Sequence, residues 1–295
     1  MNKWSGSLKP SWFLVAPLVS GVVAIATPSQ AASLAFSESL LEVTFNQAFF
    51  SSSTDTDTDT FTIADDGDVS AEAVAEAVIF NDPSDASVCI FGLGNPGACN
   101  VAFSGVIGDN GNNYFGQAKS TAKVLGNFFV SSGAIFAFDF IASLLLQTEI
   151  DRPDIETAQA AGTVSFSLYG GPQAQSLSLL DTFTLSGSLS TVGPGDSLVA
   201  PKGSHALTFD TSFDQSFGGQ VEFVDAFVEG SYNRSFENDT YLQLIEVKTT
   251  TACVATAASQ QDCKQSVPEP MSILALLAPL LGLMGIFLKK EHLPN

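Results

Sequence analysis

Apolar residues recur at every second position through the central part of the chain, and this alternation most limits what the chain can fold into. Phe136, Phe138 and Phe140 alternate with other residues, and the stretch 162–169 repeats the pattern with Val, Phe and Leu. A β-strand points successive side chains to opposite faces, so each such segment has one apolar face. Helical spacing is rare in this region. The pattern therefore predicts an all-β domain.

Gly, Pro, Asn and Asp separate the alternating segments, as is typical of turns between strands. Residues 70–80 are ambiguous, because Ala and Glu favour a helix while Val alternates with them; we predict a strand there. The fold class is an antiparallel β-sandwich or jelly-roll-like single domain over residues 32–263, flanked by an N-terminal signal helix and a C-terminal transmembrane helix. The other predicted strands are 135–140, 144–150, 162–169, two short strands within 177–189, 206–212, 219–232 and 241–249.

Residues 1–31 have the features of a secretory signal peptide. Two lysines precede an apolar run over 12–26, and small residues follow at Ser29 and Ala31. This spacing predicts cleavage between Ala31 and Ala32. An uncleaved membrane anchor is the alternative, but the apolar run is short for a membrane span. Export is therefore expected.

The C-terminal segment, 264–295, contains three features in a fixed order. A Val-Pro-Glu-Pro motif comes first, an uncharged run from Met271 to Leu288 follows, and two lysines close it. As a helix the run would be about 27 Å long, enough to cross a bilayer, so we predict a transmembrane helix over 271–288. The lysines would keep the end in the cytoplasm. The motif is Val267, Pro268, Glu269 and Pro270, and the lysines are Lys289 and Lys290.

This tripartite tail resembles the PEP-CTERM sorting signal of Gram-negative bacteria and cyanobacteria. In that family a membrane protease, exosortase, is thought to cut at the motif, so the resemblance implies exosortase as a partner and a cut near Glu269. A plain single-span anchor is the alternative. The stretch 138–247 also looks like an uncharacterised kind of cyanobacterial PEP-CTERM protein, with phrases such as Phe138-Asp139-Phe140 and Leu244-Ile245-Glu246-Val247. That second resemblance implies location and fold only.

Four cysteines occur, an even number that implies disulfides in an exported chain. Three pairings are possible. Local pairing, Cys89 with Cys99 and Cys253 with Cys263, is the one we expect, because the first pair encloses a turn-rich, Gly-rich loop. No Cys-x-x-Cys motif is present, so neither a metal site nor a redox pair is expected.

The formal net charge of −20 disfavours nucleic acid and anionic lipid as partners. A Thr-Asp repeat places Asp55, Asp57 and Asp59 on one side of an extended segment, and clustered carboxylates are what Ca²⁺ requires. They form a weak Ca²⁺ candidate. A solvated low-complexity loop is the stronger interpretation of this repeat.

No catalytic constellation stands out, and we predict neither an enzyme nor a cofactor. The lone base in the exported region is His205, in a segment that resembles a turn, and there is no Gly-x-Ser-x-Gly motif. Two groups of acids could be imagined as a glycosidase pair, although sequence cannot show the spacing that such a pair needs. Those groups are Asp210 with Asp214, and Glu222 with Asp225 and Glu229.

The sequence therefore favours an exported protein of the cell surface, outer membrane or biofilm matrix with a structural or adhesive role. Extracellular polysaccharide is a possible partner, and Ser/Thr-rich segments could accept O-linked sugar. A carbohydrate- or Ca²⁺-binding surface module is the alternative, weakened for sugar because both tryptophans, Trp4 and Trp12, fall in the signal segment. A surface glycan hydrolase is a remote third candidate.

Overall fold

The computed structural model describes residues 32–82, 96–191, 193–259 and 261–263. Long strands with alternating burial dominate these residues, as the two-residue sequence pattern predicts. The elements are β1 (Ala32–Phe45), β2 (Ser51–Phe80), β3 (Gly97–Val130), β4 (Ile135–Glu149), β5 (Glu156–Gln173), β6 (Ser176–Thr191), β7 (Ser197–Val199), β8 (Leu207–Ser216), β9 (Val221–Ser235), β10 (Thr240–Thr256) and a short 3₁₀-helix, Ala257–Ser259.

The ten strands form one antiparallel sheet in the order β7-β6-β5-β10-β3-β1-β4-β9-β8, and β2 also pairs with β3. The prediction of an antiparallel all-β domain is confirmed, in the form of a single curled sheet. The flanking helices predicted for 1–31 and 271–288 lie outside the described residues. Within the part of the chain that the structure describes, none of the helices is long and apolar enough to cross a membrane.

Strand β3 belongs to both parts of the sheet, because different portions of it pair with different neighbours. Its residues 97–109 pair with β1, and its residues 115–130 pair with β10. We call β8, β9, β4, β1 and residues 97–109 the first arm, and residues 115–130, β10, β5, β6 and β7 the second arm. Strand β2 runs along both portions of β3 and borders both arms.

The two arms face each other across a core rich in phenylalanine. Phe138 and Phe140 of β4 meet Phe166 of β5 at ring-centroid distances of 5.4 and 5.3 Å. Phe183 of β6 stacks on Phe166 at 5.1 Å. Each such pair contributes about 1 kcal/mol beyond the burial of its area. The Phe residues that alternate in the sequence thus hold the curled sheet closed.

A bend in the β2–β3 pair lets the sheet curl. The register shifts on either side of Asp66, and Gly67 has φ of 115°, a conformation that favours glycine. At Gly111 an added Cβ would overlap the carbonyl of Asp66. Arg152 fastens the bend, since its guanidinium donates to the Gly111 carbonyl and to Asn112 Oδ1. Glycines that would weaken a flat strand therefore serve a turn inside a long one.

The strand over 70–80 is confirmed as the second part of β2. The two short strands predicted within 177–189 are wrong, because β6 is one strand with a register shift where it pairs with β5 near Tyr169. A bulge of this kind disturbs the alternation that marks a strand in the sequence.

Candidate functional site

The outer face of the second arm carries rows of hydroxyl side chains. The register places Thr121 of β3 beside Thr249 of β10, Thr249 beside Thr163 of β5, and Thr163 beside Ser186 of β6. All four side chains are partly exposed. Because neighbouring strands lie about 4.8 Å apart, they form one row across four strands.

Further hydroxyls lie beside this row on the same face. Ser165 and Thr184 occupy the next level, and Ser188 lies on the other side of the row. Some of these groups bond within the sheet, since Ser165 Oγ donates to the Val247 carbonyl at 3.2 Å. A hydroxyl both donates and accepts, so the face can pair with a ligand that is itself rich in hydroxyls. We call this surface the hydroxyl face.

The Thr-Asp repeat lies at the edge of the hydroxyl face, and the expectation of a solvated loop is wrong. Residues 51–60 begin β2, where Asp55 is paired with Lys123 and Asp59 with Lys119. Threonine has high strand propensity, and cross-strand pairs of opposite charge stabilise a sheet. Asp57 lies between them, opposite Thr121.

The geometry of the repeat bears on its candidacy for Ca²⁺. Alternate residues of a strand are about 6.8 Å apart, whereas Ca²⁺ needs several oxygens at about 2.3–2.6 Å. Among the described residues, no group of three or more His, Cys, Asp or Glu side chains is placed to hold a metal ion. The strand thus presents three carboxylates as a ladder and does not gather them into one site.

The acids considered for glycoside chemistry lie mainly on the outer face of the first arm. Asp139, Asp210 and Glu229 line a shallow groove across β4, β9 and β8. Asp214 lies directly opposite Asp225. Burial, with the like charge of Asp214 as a second cause, raises the pKa of Asp225.

Glu222 has a different environment from the other acids in these groups, because it is 1% exposed. Its carboxylate accepts hydrogen bonds from the backbone N–H groups of Gly218 and Gly219, at 2.9 and 3.2 Å, and from the Thr148 hydroxyl. These contacts hold the turn between β8 and β9, a turn in which Gly218 has φ of 77°. Glu222 therefore stabilises the turn between β8 and β9.

His205 is exposed in the loop before β8. The neighbouring Ser204 hydroxyl bonds to Asp181 and accepts from the Leu207 N–H, so it helps to shape this loop. Asn233 and Asn238, which each begin an Asn-x-Ser/Thr sequence, are also exposed. These groups lie apart from the hydroxyl rows, on elements of the first arm or its loops.

The disulfide predicted between Cys253 and Cys263 is confirmed, with Cα atoms 5.7 Å apart. Cys253 packs with Phe115 at the end of β10. For the other predicted bridge, Cys99 is disulfide-bonded, while Cys89 lies outside the described residues. The bridge that includes Cys263 fixes the place where the chain leaves the sheet toward its C-terminal segment.

The sorting motif, Val267 to Pro270, and the anchor residues, Met271 to Lys290, lie outside the described residues, as does Ala31. Ala32 is described and is the first residue of β1. Its N–H donates to Asp151 Oδ2 at 2.9 Å. Comparison with protein-family models, with curated proteins and with solved structures finds no match to this chain.

The hydroxyl rows were not predicted from the sequence, although a signal for them is visible. Ser and Thr occupy alternate positions at 163, 165 and 167, and again from 182 to 190. That alternation fixes which residues share a face of each strand. It does not say which strands are neighbours, and the row depends on pairing between strands far apart in the chain.

Proposed function

We propose that the chain is an exported protein of the cell surface or extracellular matrix with a structural or adhesive role. The tail carries this proposal, because the Pro-Glu-Pro motif, the apolar run and the basic end occur in the order of a sorting signal. Exosortase is then the processing partner and the membrane a transient anchor. Nucleic acid is not an expected partner, given the net charge of −20.

The N-terminal end of the sheet supports cleavage before Ala32. Cleavage there would convert the Ala32 N–H into an ammonium group 2.9 Å from the Asp151 carboxylate. A charge-assisted hydrogen bond is stronger than the neutral one it replaces. The mature N-terminus would thus be held at the first residue of β1.

The curled sheet supports a scaffolding role. We infer that it acts as a rigid, sandwich-like module, since side chains of opposite arms pack as the layers of a sandwich do. The Cys253–Cys263 disulfide adds a covalent constraint at the start of the C-terminal segment. Such constraints resist unfolding in an oxidising, protease-rich environment.

A carbohydrate-binding role is the second candidate, and the hydroxyl face favours it. The row from Thr121 to Ser186 offers donors and acceptors at regular spacing, matched to a polymer that is itself rich in hydroxyls. Extracellular polysaccharide is therefore the proposed ligand class. Ca²⁺ binding has less support, because the three aspartates are spread along one strand and Asp55 and Asp59 lie directly opposite lysines of β3.

Localisation of tail variants tests the first proposal. In the native host, Pro268→Ala combined with Glu269→Ala and Pro270→Ala should retain the protein in the membrane fraction. Gln265→Ala with Ser266→Ala, in the adjacent linker, is the control and should reach the surface or medium like the unchanged protein. Equal distribution of all three forms would contradict sorting by the motif.

Retention on purified host exopolysaccharide, with dextran as an unrelated neutral polymer, tests the hydroxyl face. Thr121→Val, Thr163→Val and Thr249→Val together keep side-chain shape and remove three hydroxyls, so retention should fall several-fold. Thr58→Val with Thr60→Val, exposed on the other face of β2, should not change it. Equal retention of both variants would show that this face does not bind the polymer.

A further inference from the structure

A group of polar side chains lies inside the core, between two apolar clusters. Glu246 and Lys248 point inward from β10 and are both fully buried, with Lys248 Nζ 3.3 Å from Glu246 Oε2. The other oxygen of Glu246 has no hydrogen-bond partner among the described residues. Removing two charges from water is unfavourable, and a pair in which one carboxylate oxygen lacks a partner offsets only part of that loss. The pair therefore requires an explanation beyond stability.

Asn100 is a third buried polar residue. It points inward from β3 and is 1% exposed. Within the described part of the chain, neither its amide nitrogen nor its amide oxygen has a hydrogen-bond partner. An unpaired buried amide is unfavourable, because it has lost its hydrogen bonds to water and gained none in the protein. Most folded proteins avoid such a group, so its presence beside a buried ion pair points to a role.

Contacts between the arms place Asn100 at the level of the ion pair. Ser104 Oγ lies 2.9 Å from Thr250 Oγ1 across the core. A Cβ added to Gly116 would meet both Val106 and Val254, so these two valines are also close together. Val106 follows Ser104 and Val254 follows Thr250, so residues 97–109 of β3 run in the same direction as β10.

Asn100 lies four residues before Ser104 on β3, and Glu246 lies four residues before Thr250 on β10. Each pair is on one face of its strand, so Asn100 and Glu246 lie at the same level of the core. Lys248 lies between Glu246 and Thr250 on that face, and its Nζ reaches back to the Glu246 carboxylate. The direct contact between short hydroxyl side chains also brings the arms closer than the usual spacing of about 10 Å. A lysine side chain, roughly 6 Å long, can therefore reach from β10 across the core to Asn100 on β3.

We propose that Lys248 and Asn100 condense into an isopeptide bond that joins β10 to β3, with Glu246 as the proton-transfer group. The neutral amine of Lys248 attacks Cγ of Asn100, forming the new C–N bond. Protonated Glu246 donates a hydrogen bond to the amide oxygen and relays a proton from the attacking nitrogen to the leaving nitrogen. The old C–N bond then breaks and ammonia leaves. No oxidant or other reactant is consumed.

The surroundings favour the protonation states that this reaction requires. Burial raises the pKa of the Glu246 carboxyl, so its acid form is favoured. Burial lowers the pKa of Lys248 to about 8, although the Glu246 carboxylate opposes the shift. A buried lysine with a lowered pKa is an effective amine nucleophile. The amide product would remove the charge of Lys248 and use the amide carbon of Asn100.

Intact mass of the full chain after export tests the proposal. The mass of the folded, non-reduced protein should be about 17 Da below the mass expected from its sequence with the disulfides formed. This difference is the mass of one ammonia. Digestion should yield one branched peptide that joins the Asn100 and Lys248 segments. Glu246→Gln should restore the unmodified mass, and Glu222→Gln, which changes another buried carboxylate, should keep the loss.

Two results would overturn it. If the folded protein without substitutions has the mass expected before any loss of ammonia, no isopeptide bond forms. This result does not depend on whether any variant folds. A loss of about 18 Da, with Lys248 linked to Glu246, would indicate loss of water and a different partner. Asn100→Asp offers a further check, since condensation there would release water, and Asn100→Ala should abolish any link. These readouts are independent of localisation and of polysaccharide binding.

Discussion

Three buried glutamates, Glu156, Glu222 and Glu246, differ in the groups that their carboxylates contact. Glu156 and Glu222 are each 1% exposed and are surrounded by N–H donors. Glu246 is also buried but faces a single lysine. Burial raises the pKa of the Glu246 carboxyl, and its one lysine partner opposes this only in part. The sequence alone shows three similar glutamates in alternating strands.

Replacing Glu156 should destabilise the domain strongly. Its carboxylate accepts from Arg152 Nε and Nη2 at 2.9 and 2.8 Å and from the N–H groups of Asp151 and Arg152. Glu156→Ala should cost about 3 kcal/mol, because these donors lose their partner. Chemical denaturation measures it. Glu229→Ala, on the exposed groove, is the control and should be nearly neutral; equal losses would contradict the assigned role.

Removing Asp214 should stabilise the protein in a pH-dependent way. Asp225 has a raised pKa, so the folded state holds its proton more readily than the unfolded state, and stability falls as pH rises through that range. Asp214→Asn should lower this pKa and raise the melting temperature at about pH 7 but hardly at about pH 3. Asp154→Asn, in an exposed turn, is the charge-matched control. The same shift at both pH values would argue against repulsion.

At the scale of elements, the bend in β2 and β3 decides how the sheet closes. Gly111→Ala should cost about 3 kcal/mol, because the new Cβ would overlap the carbonyl of Asp66 and the backbone has to move. Gly133→Ala is a matched control: it has φ of 78° but open space around it, so it should cost only about 1 kcal/mol. Similar losses in thermal unfolding would mean that the bend tolerates a side chain.

The strands differ in how far the sequence predicts them. Strands β5 and β9 carry an apolar face that alternation reveals, and the structure confirms them. The segments predicted over 135–140 and 144–150 are also extended, but they form one strand, β4. The first part of β2 has no apolar face, so its Thr-Asp repeat suggested a loop. This segment pairs with a part of β3 about 65 residues later in the chain, where it lies opposite Lys119 and Lys123. The pattern of residues within β2 cannot predict that pairing.

The candidate site was less predictable than the strands for the same reason. Alternate Ser and Thr residues define one face of β5 and of β6, but the row from Thr121 to Ser186 depends on which strands are neighbours. The inferred proximity of Asn100 to Glu246 depends on packing between the arms, which the Ser104–Thr250 contact shows. Neither relation is encoded within a single segment of the sequence.

At the scale of the whole molecule, the N-terminus created by export should contribute to stability. A chain that begins at Ala32 would pair its ammonium with Asp151, which now accepts the Ala32 N–H at 2.9 Å. Asp151→Asn should lower the melting temperature of that chain by roughly 1–2 °C. The same substitution in a chain with residues before Ala32 should have a smaller effect. Equal effects would argue against this end contact.

Intact mass of the protein recovered from its native host, after separation into membrane, surface and medium, tests export and sorting directly. We expect a surface or released form that begins at Ala32 and ends near Glu269. A single form in the membrane fraction that still contains 271–290 would contradict this expectation, because sorting by exosortase removes that segment.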